Sequence, residues 1–235
     1  MQQPNDTPWR IAFSTRTDGD LRETNHRTAF LSALGFSPDD LIVAKQVHGA
    51  EVIPVSAANR GKVIADADGL VYRVADDMPV VLGVRVADCA PVLIVDTKAQ
   101  IIGAAHAGWR GTVGGIVPHL IEKMITLGAD PQRMQVHIGA HIKSCCYNVP
   151  SDRAQAFLST FPSKPPVVSV REGKEYLSLE TALRRQLSNA GVKEEAVTVS
   201  PDCTASHPDR YFSYRADTPE KFGEQMAFVG YKQNV

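Results

Sequence analysis

The chain has 235 residues, of which 43% are hydrophobic and 22% charged, with a formal net charge of −1. That balance is typical of a globular protein with a buried core, and the near-neutral charge argues against an electrostatic footprint for nucleic acid or an anionic membrane. No apolar run reaches the roughly 18 residues that span a bilayer, the opening "MQQPNDTPWR" lacks the apolar run of a signal peptide, and four cysteines, two of them adjacent (Cys145, Cys146), do not form a disulfide framework, so a reduced, cytoplasmic protein is expected.

Taken in chain order, Asn25–Gly35 reads as a helix and Leu41–Val47 as a strand. Pro79–Val86, Pro91–Asp96 and Gln100–Ala105 follow as β-branched runs bounded by Gly, Pro or Asp. The first two of these are joined by too few residues for a helical crossover, which predicts that they pair antiparallel. Gly111–Gly128 has helical periodicity, with Pro118 placed to kink or restart it. Met134–Gly139 reads as a strand, Ser151–Phe161 as a helix, the Pro-rich Phe161–Val168 as a loop, and Val167–Val170 as a strand. Ser178–Gly191 is a helix with a Ser start and a Gly stop, and Ala196–Ser200 is a further strand. Apolar patterning continues on both sides of the Pro-rich loop, so residues 1–235 are expected to form a single domain. Strands and helices do not alternate strictly, which predicts an α+β fold with mixed sheets.

Three places share one layout. "AKQVHG" puts His48 after a strand, "VADCAP" puts Cys89 in the short turn between two strands, and "AAHAGW" puts His106 at the end of a third. Strand ends are rigid mounts for side chains in a loop-lined site. Two imidazoles and a thiolate supply three of the four tetrahedral positions around zinc and leave one for water or substrate, and zinc lowers the pKa of bound water to about 7. Spacing alone leaves alternatives open. His48 also reads as an exposed loop histidine, Cys89 as a small buried hydrophobe, and Cys89 with His106 as a metal-free nucleophile–base pair.

The segments "KQVHG", "ADCAPVLIVD", "AAHAGWRGTVGGI", "HIGAHIKSCCYNV" and "CTASHPDRYFSYRAD" occur in an order that resembles the laccase-domain, or YfiH-type, family, whose members were first labelled polyphenol oxidases. The resemblance runs from about Phe13 to Tyr214. It implies zinc held by His48, Cys89 and His106, which would also be the catalytic residues, within one compact domain of α/β/β/α layers. It further implies phosphorolysis of adenosine, inosine, guanosine and methylthioadenosine, with deamination of adenosine at the same site, so purine nucleosides and phosphate are the expected partners. Arg16 in "FSTRTDG" matches a family Thr-Arg motif and is a candidate substrate contact. Arg110 is a second one, because it lies where a helix begins and a cation there favours an anion such as phosphate; it also reads as a salt-bridge partner. Gly108 lets the backbone turn close to the site and Gly111 allows a sharp entry into the next helix, while Trp109 either packs in the core or stacks on a base. Asp88 is a candidate general acid, although an Asp in a turn often bonds local backbone instead.

The chain departs from the family at Ala140 and His141, where Pro and then a small or Cys residue are usual after Ile-Gly, and at Glu224, which stands where the family has an Arg. "FSYRAD" has one Arg where many members have two, and the segment after Arg16 is shortened. His141 could approach the site or remain a polar loop residue. Two rival functions follow from the family's labels, a copper-dependent phenol oxidase and a peptidoglycan-precursor editing amidase. Copper competes well for a His/Cys site, but a multicopper oxidase needs more ligands than seven scattered histidines readily supply, which places zinc ahead of copper. Adjacent Cys145 and Cys146 read as a packed turn rather than a redox pair, since neighbouring cysteines rarely meet disulfide geometry without strain.

Overall fold

The computed structural model describes residues 8–75 and 78–232. In chain order the elements are β1 (Trp9–Phe13), α1 (Thr24–Ala33), β2 (Leu41–Ala44), β3 (Val52–Val55), β4 (Val63–Ile64), β5 (Gly69–Arg73), β6 (Val80–Val86), β7 (Ala90–Asp96), β8 (Ile101–Ala107), α2 (Trp109–Val113), α3 (Ile116–Thr126), β9 (Gln135–Ile138), β10 (Asn148–Val149), α4 (Ser151–Thr160), β11 (Val168–Arg171), β12 (Lys174–Leu177), α5 (Leu179–Asn189), β13 (Val197–Val199) and β14 (Gln225–Tyr231). They form a five-stranded sheet of order β1-β14-β6-β2-β4, a six-stranded sheet of order β13-β9-β7-β8-β5-β3, and a small sheet β10-β12-β11. Both large sheets are mixed: β2 runs parallel to β4 and β6, β3 to β5, and β9 to β13, while the other pairs in them are antiparallel.

The layering follows from two-residue alternation along strands buried on both faces. On β7, Leu93 and Val95 enter the core between the two large sheets, together with Leu70, Tyr72, Leu82, Ile102 and Val229. Val92 and Ile94 point the other way, toward Ile116, Leu120, Phe157 and Leu183 of the helices. On the outer face of the five-stranded sheet, Val81, Met226 and Phe228 pack against Leu31 and Phe36 at α1. The result is the expected α/β/β/α sandwich.

The strand and helix predictions lie within a few residues of the observed elements, with two corrections. Pro79–Val86 and Pro91–Asp96 do not pair. β6 bonds β14 and β2, whereas β7 bonds β8 and β9, so the chain crosses from one sheet to the other at Ala87–Cys89. Asp88 takes a left-handed φ of 84° at that corner. The Gly111–Gly128 helix is two helices, and the break falls at Gly114–Gly115, where Gly115 has φ 81°, rather than at Pro118. Pro118 sits in the first turn of α3, where the missing N–H costs nothing.

At the far end of β7, Asp96 is fully buried and accepts from the N–H groups of Lys98, Ala99 and Asp130 and from the Arg133 guanidinium. Burial works to raise its pKa, but the Ala99 and Asp130 amides and Arg133 hold it below the ordinary carboxylate range. A group depressed in the folded state contributes fully above its unfolded pKa of about 3.9 and loses that contribution as pH falls through the folded value. Asp96→Ala strands several buried donors and is expected to cost about 1–3 kcal/mol at pH 7. Urea unfolding of both proteins is expected to show the gap narrowing below about pH 4.

Candidate metal centre

Register alone gathers the site. In the strand order β7-β8-β5-β3, Ala90 lies opposite Ala107, Gly69 opposite Ala105, and Val52 opposite Gly69. The residues just before β7, β5 and β3 and the last turn of β8 therefore share one end of the six-stranded sheet. Those residues are Cys89, Asp68, the His48 loop and His106. The ligand atoms of His48, Cys89 and His106 all lie within 4.8 Å of one another. Their imidazoles meet edge to face with centroids 4.9 Å apart.

Asp68 organises this convergence, and the sequence reading did not select it. Its carboxylate is buried and accepts the N–H groups of Val47 (3.1 Å), His48 (3.0 Å) and Gly49 (2.7 Å), which fixes the loop whose His48 has a left-handed φ of 61°. The same carboxylate takes a 2.7 Å hydrogen bond from His106 Nδ1, leaving Nε2 as the nitrogen free for a metal. Burial opposes its ionisation, but the bonds from His106, Gly49 and Val47 hold its pKa down. A signal exists in "ADADGLVYRV": an Asp set directly before an apolar strand has no reason to be buried unless it is bonded.

Burial would raise the Cys89 pKa, yet hydrogen bonds from His106 and His48 bring it to about 7. For His106 burial acts to lower the value, and Asp68 and Cys89 reverse this and lift it to about 9. The His106 imidazole thus lies between two groups, the Asp68 carboxylate and the Cys89 thiol, that both favour positive charge on it. The donor set, two imidazole nitrogens and a thiolate, fits zinc or copper by softness.

Gly108 closes the floor. A Cβ placed there would lie 3.0 Å from Cys89 Sγ and 3.7 Å from both imidazoles. Gly111 brings α2 against the His48 loop, since a Cβ there would meet Gly49 O at 2.6 Å. Trp109 packs partly into the helical core and is flanked by Arg110 and Arg153, whose guanidiniums lie 4.6 and 4.5 Å from its ring centroid. Arg153 also donates to the Tyr147 hydroxyl at 3.4 Å. Burial raises the Tyr147 pKa, and the charge of Cys89 acts in the same direction, which puts this hydroxyl within the electrostatic reach of the site. Neither Tyr147 nor Arg153 was singled out from the sequence.

The remaining predicted residues divide. Arg110 is exposed, and among the described residues no carboxylate pairs with it. Arg16 is engaged elsewhere: it binds both oxygens of Asp217 at 2.7 Å, the carbonyls of Tyr211 and Lys221, and the face of Phe212. Asp88 forms long-range bonds rather than local ones, accepting from Thr204 Oγ1 (2.6 Å), Ser213 Oγ (2.7 Å) and Arg215 N (2.7 Å). His141 is fully buried, donates from Nδ1 to Gly139 O at 2.8 Å, and is pushed by burial to about 4, so it stays neutral; it stands outside the His48–Cys89–His106 group. Glu224 forms a 3.5 Å ion pair with Arg85.

Asp68→Asn keeps the volume but removes the charge opposite His106. Loss of a bond that orients a ligating histidine is expected to weaken metal binding about 10- to 100-fold, measured as metal content after dialysis against a graded chelator.

Comparison with known proteins identifies the family of the chain. The family described as multi-copper polyphenol oxidoreductase laccase matches residues 12–232. A Deinococcus radiodurans protein named purine nucleoside phosphorylase is 35% identical over 220 residues, covering 94% of this chain and 81% of the relative. A protein of an unknown prokaryotic organism named adenosine deaminase RL5 is 32% identical over 207 residues, 84% of this chain and 78% of its own length. The crystal structure of YlmD from Geobacillus stearothermophilus superimposes with a TM-score of 0.87 at 29% identity, over 98% of this chain and 94% of that one. A single family thus matches from the first strand to the last, and the chain belongs to the laccase-like, YfiH-type family.

Proposed function

We propose that this chain is a zinc-dependent purine nucleoside phosphorylase for adenosine, inosine, guanosine and methylthioadenosine that also deaminates adenosine. The observation that carries the reading is the convergence of His48, Cys89 and His106 on one point, with Asp68 holding two of them in place. The names of the relatives supply the substrate class. When bound by these three residues, zinc supplies a Lewis acid at the centre of the site.

The protein's own groups do the positioning. His106 is locked with Nε2 toward the centre by its bond to Asp68. Gly108 keeps its backbone close enough that no side chain crowds Cys89. Arg110 follows two residues later with its guanidinium unpaired by carboxylate, and Arg153 shares the Trp109 face. These two cations are suited to hold phosphate, whereas Arg16 supports the reading less because Asp217 already occupies it. Fixed positive groups at the point where charge develops account for rate through preorganisation. Zinc is the metal of choice in this reading because one three-residue site with an open position is its usual catalytic arrangement.

Mass spectrometry of products from adenosine, with and without phosphate, tests the assignment. Adenine and ribose 1-phosphate formed only with phosphate, and lost in Cys89→Ala, are expected; inosine reports deamination. A fully metallated protein that turns over neither adenosine nor inosine would sink the reading and direct attention to amide hydrolysis. Arg110→Ala is expected to leave metal content unchanged and to lower kcat/KM for phosphate about 10- to 100-fold, the value of one or two hydrogen bonds to a charged group at about 1.5–3 kcal/mol.

A further inference from the structure

A second cluster of metal-ligating side chains lies apart from the first. The sulfur atoms of Cys145, Cys146 and Cys203 all lie within 4.8 Å of one another, with Cys145 and Cys146 3.5 Å apart. Tetrahedral thiolate coordination at about 2.3 Å places sulfurs roughly 3.8 Å apart, so only small side-chain rotations separate the observed spacing from a ligating one. We propose that these three cysteines form a second site, for a soft, thiophilic d10 cation, with its fourth position open to solvent.

The two segments that carry the thiols are held together before any metal arrives. His141 and Cys203 form a parallel β-bridge, and Thr204 N donates to His141 O at 3.2 Å. The N–H groups of Cys146 and Tyr147 both return to Lys143 O at 3.0 Å, forming the tight turn that sets neighbouring thiols side by side. The Lys143 amide donates to Cys203 Sγ at 3.3 Å, the kind of bond that stabilises a bound thiolate from outside the coordination sphere. Two guanidiniums approach the same turn: Arg171 donates to Cys145 O at 3.4 Å and Arg215 to Cys146 O at 3.2 Å. Exposure is graded as an open site requires, with Cys203 buried, Cys146 half-buried and Cys145 exposed.

The donor chemistry selects the ligand. Three sulfurs without imidazole or carboxylate favour soft cations over magnesium, calcium or manganese. A disulfide between Cys145 and Cys146 is strained because the residues are adjacent, and a bridge from either to Cys203 would leave the third thiol beside it unused. This site is separate in composition from the His48–Cys89–His106 centre, but Asp88 joins them. Its carbonyl accepts Ile142 N at 2.9 Å and its carboxylate accepts Thr204 Oγ1, so the residue preceding Cys89 is bonded to the residue following Cys203.

The test is a Cd²⁺ titration of the purified full chain under a phosphine reductant, followed by thiolate-to-metal ultraviolet absorption and by native mass spectrometry. Wild type is expected to bind one more ion per chain than the Cys145→Ser/Cys146→Ser variant. Cys89→Ala is expected to retain most of the thiolate absorption, since three of the four thiols remain in the second cluster. Substitution of the exposed and half-buried cysteines leaves the core intact, which an unchanged melting temperature and unchanged occupancy at the first centre verify. Equal ion counts in wild type and the double variant overturn the proposal. So does a protein isolated without reductant that carries a Cys203 disulfide and, once reduced, takes up no additional Cd²⁺; the cluster would then be a redox pair instead.

Discussion

One buried carboxylate sets the geometry on which the first centre depends. Asp68 accepts four hydrogen bonds, three from consecutive amides of the His48 loop and one from the His106 ring. Each of these is charge-assisted and acts at low dielectric, where such bonds are roughly twice as strong as neutral ones. The loop therefore cannot move without disturbing the imidazole on the neighbouring strand. Two ligands that arrive from chain segments far apart in sequence behave as one unit. The third, Cys89, is fixed by a different device, the corner at which the chain leaves one sheet for the other, with Asp88 fastened there by Thr204, Ser213 and Arg215.

Much of this was legible in the sequence where local chemistry agrees with the tertiary result. The β-branched runs became strands within a few residues, and Ser178 caps the final helix through its hydroxyl on Thr181 N as its position suggests. The three candidate ligands were legible because each sits at the end of an apolar run, and only the family resemblance pointed to metal among the alternatives. What escaped was information held between segments. β1, β5 and β14 are short or poor in β-branched residues, and only their sheet neighbours make them strands. The corner at Ala87–Cys89 looks like a hairpin turn locally; which sheet receives β7 is decided by the core that Leu93 and Val95 enter. Asp68 escaped for the same reason, because its partners are set by register.

The arginines illustrate how residue type underdetermines role. Arg16 and Arg110 both read as anion contacts, yet Arg16 is closed off by Asp217 and two carbonyls, while Arg110 lies along Trp109 with no ion pair to a carboxylate among the described residues. Arg153, on a helix predicted only as a helix, joins the same indole. Glu224 forms an ion pair with Arg85 across 3.5 Å at the outer sheet. At His141 the imidazole is buried and neutral and lies beside the three-thiol cluster through its bridge to Cys203.

The order of strands in the five-stranded sheet has a consequence for folding. β14 lies between β1 and β6, paired with β6 along its full length and with β1 from Ala227 to Tyr231. β1 thus has no partner among the described strands until residues 225–231 are in place, and the face that covers β7 and β8 stays incomplete until then. Asp88 likewise waits for residues 204–215. Closure of the five-stranded sheet consequently rests on a pairing between chain segments more distant in sequence than any other two paired strands, the kind of contact that forms late because its loop-closure entropy must be met first.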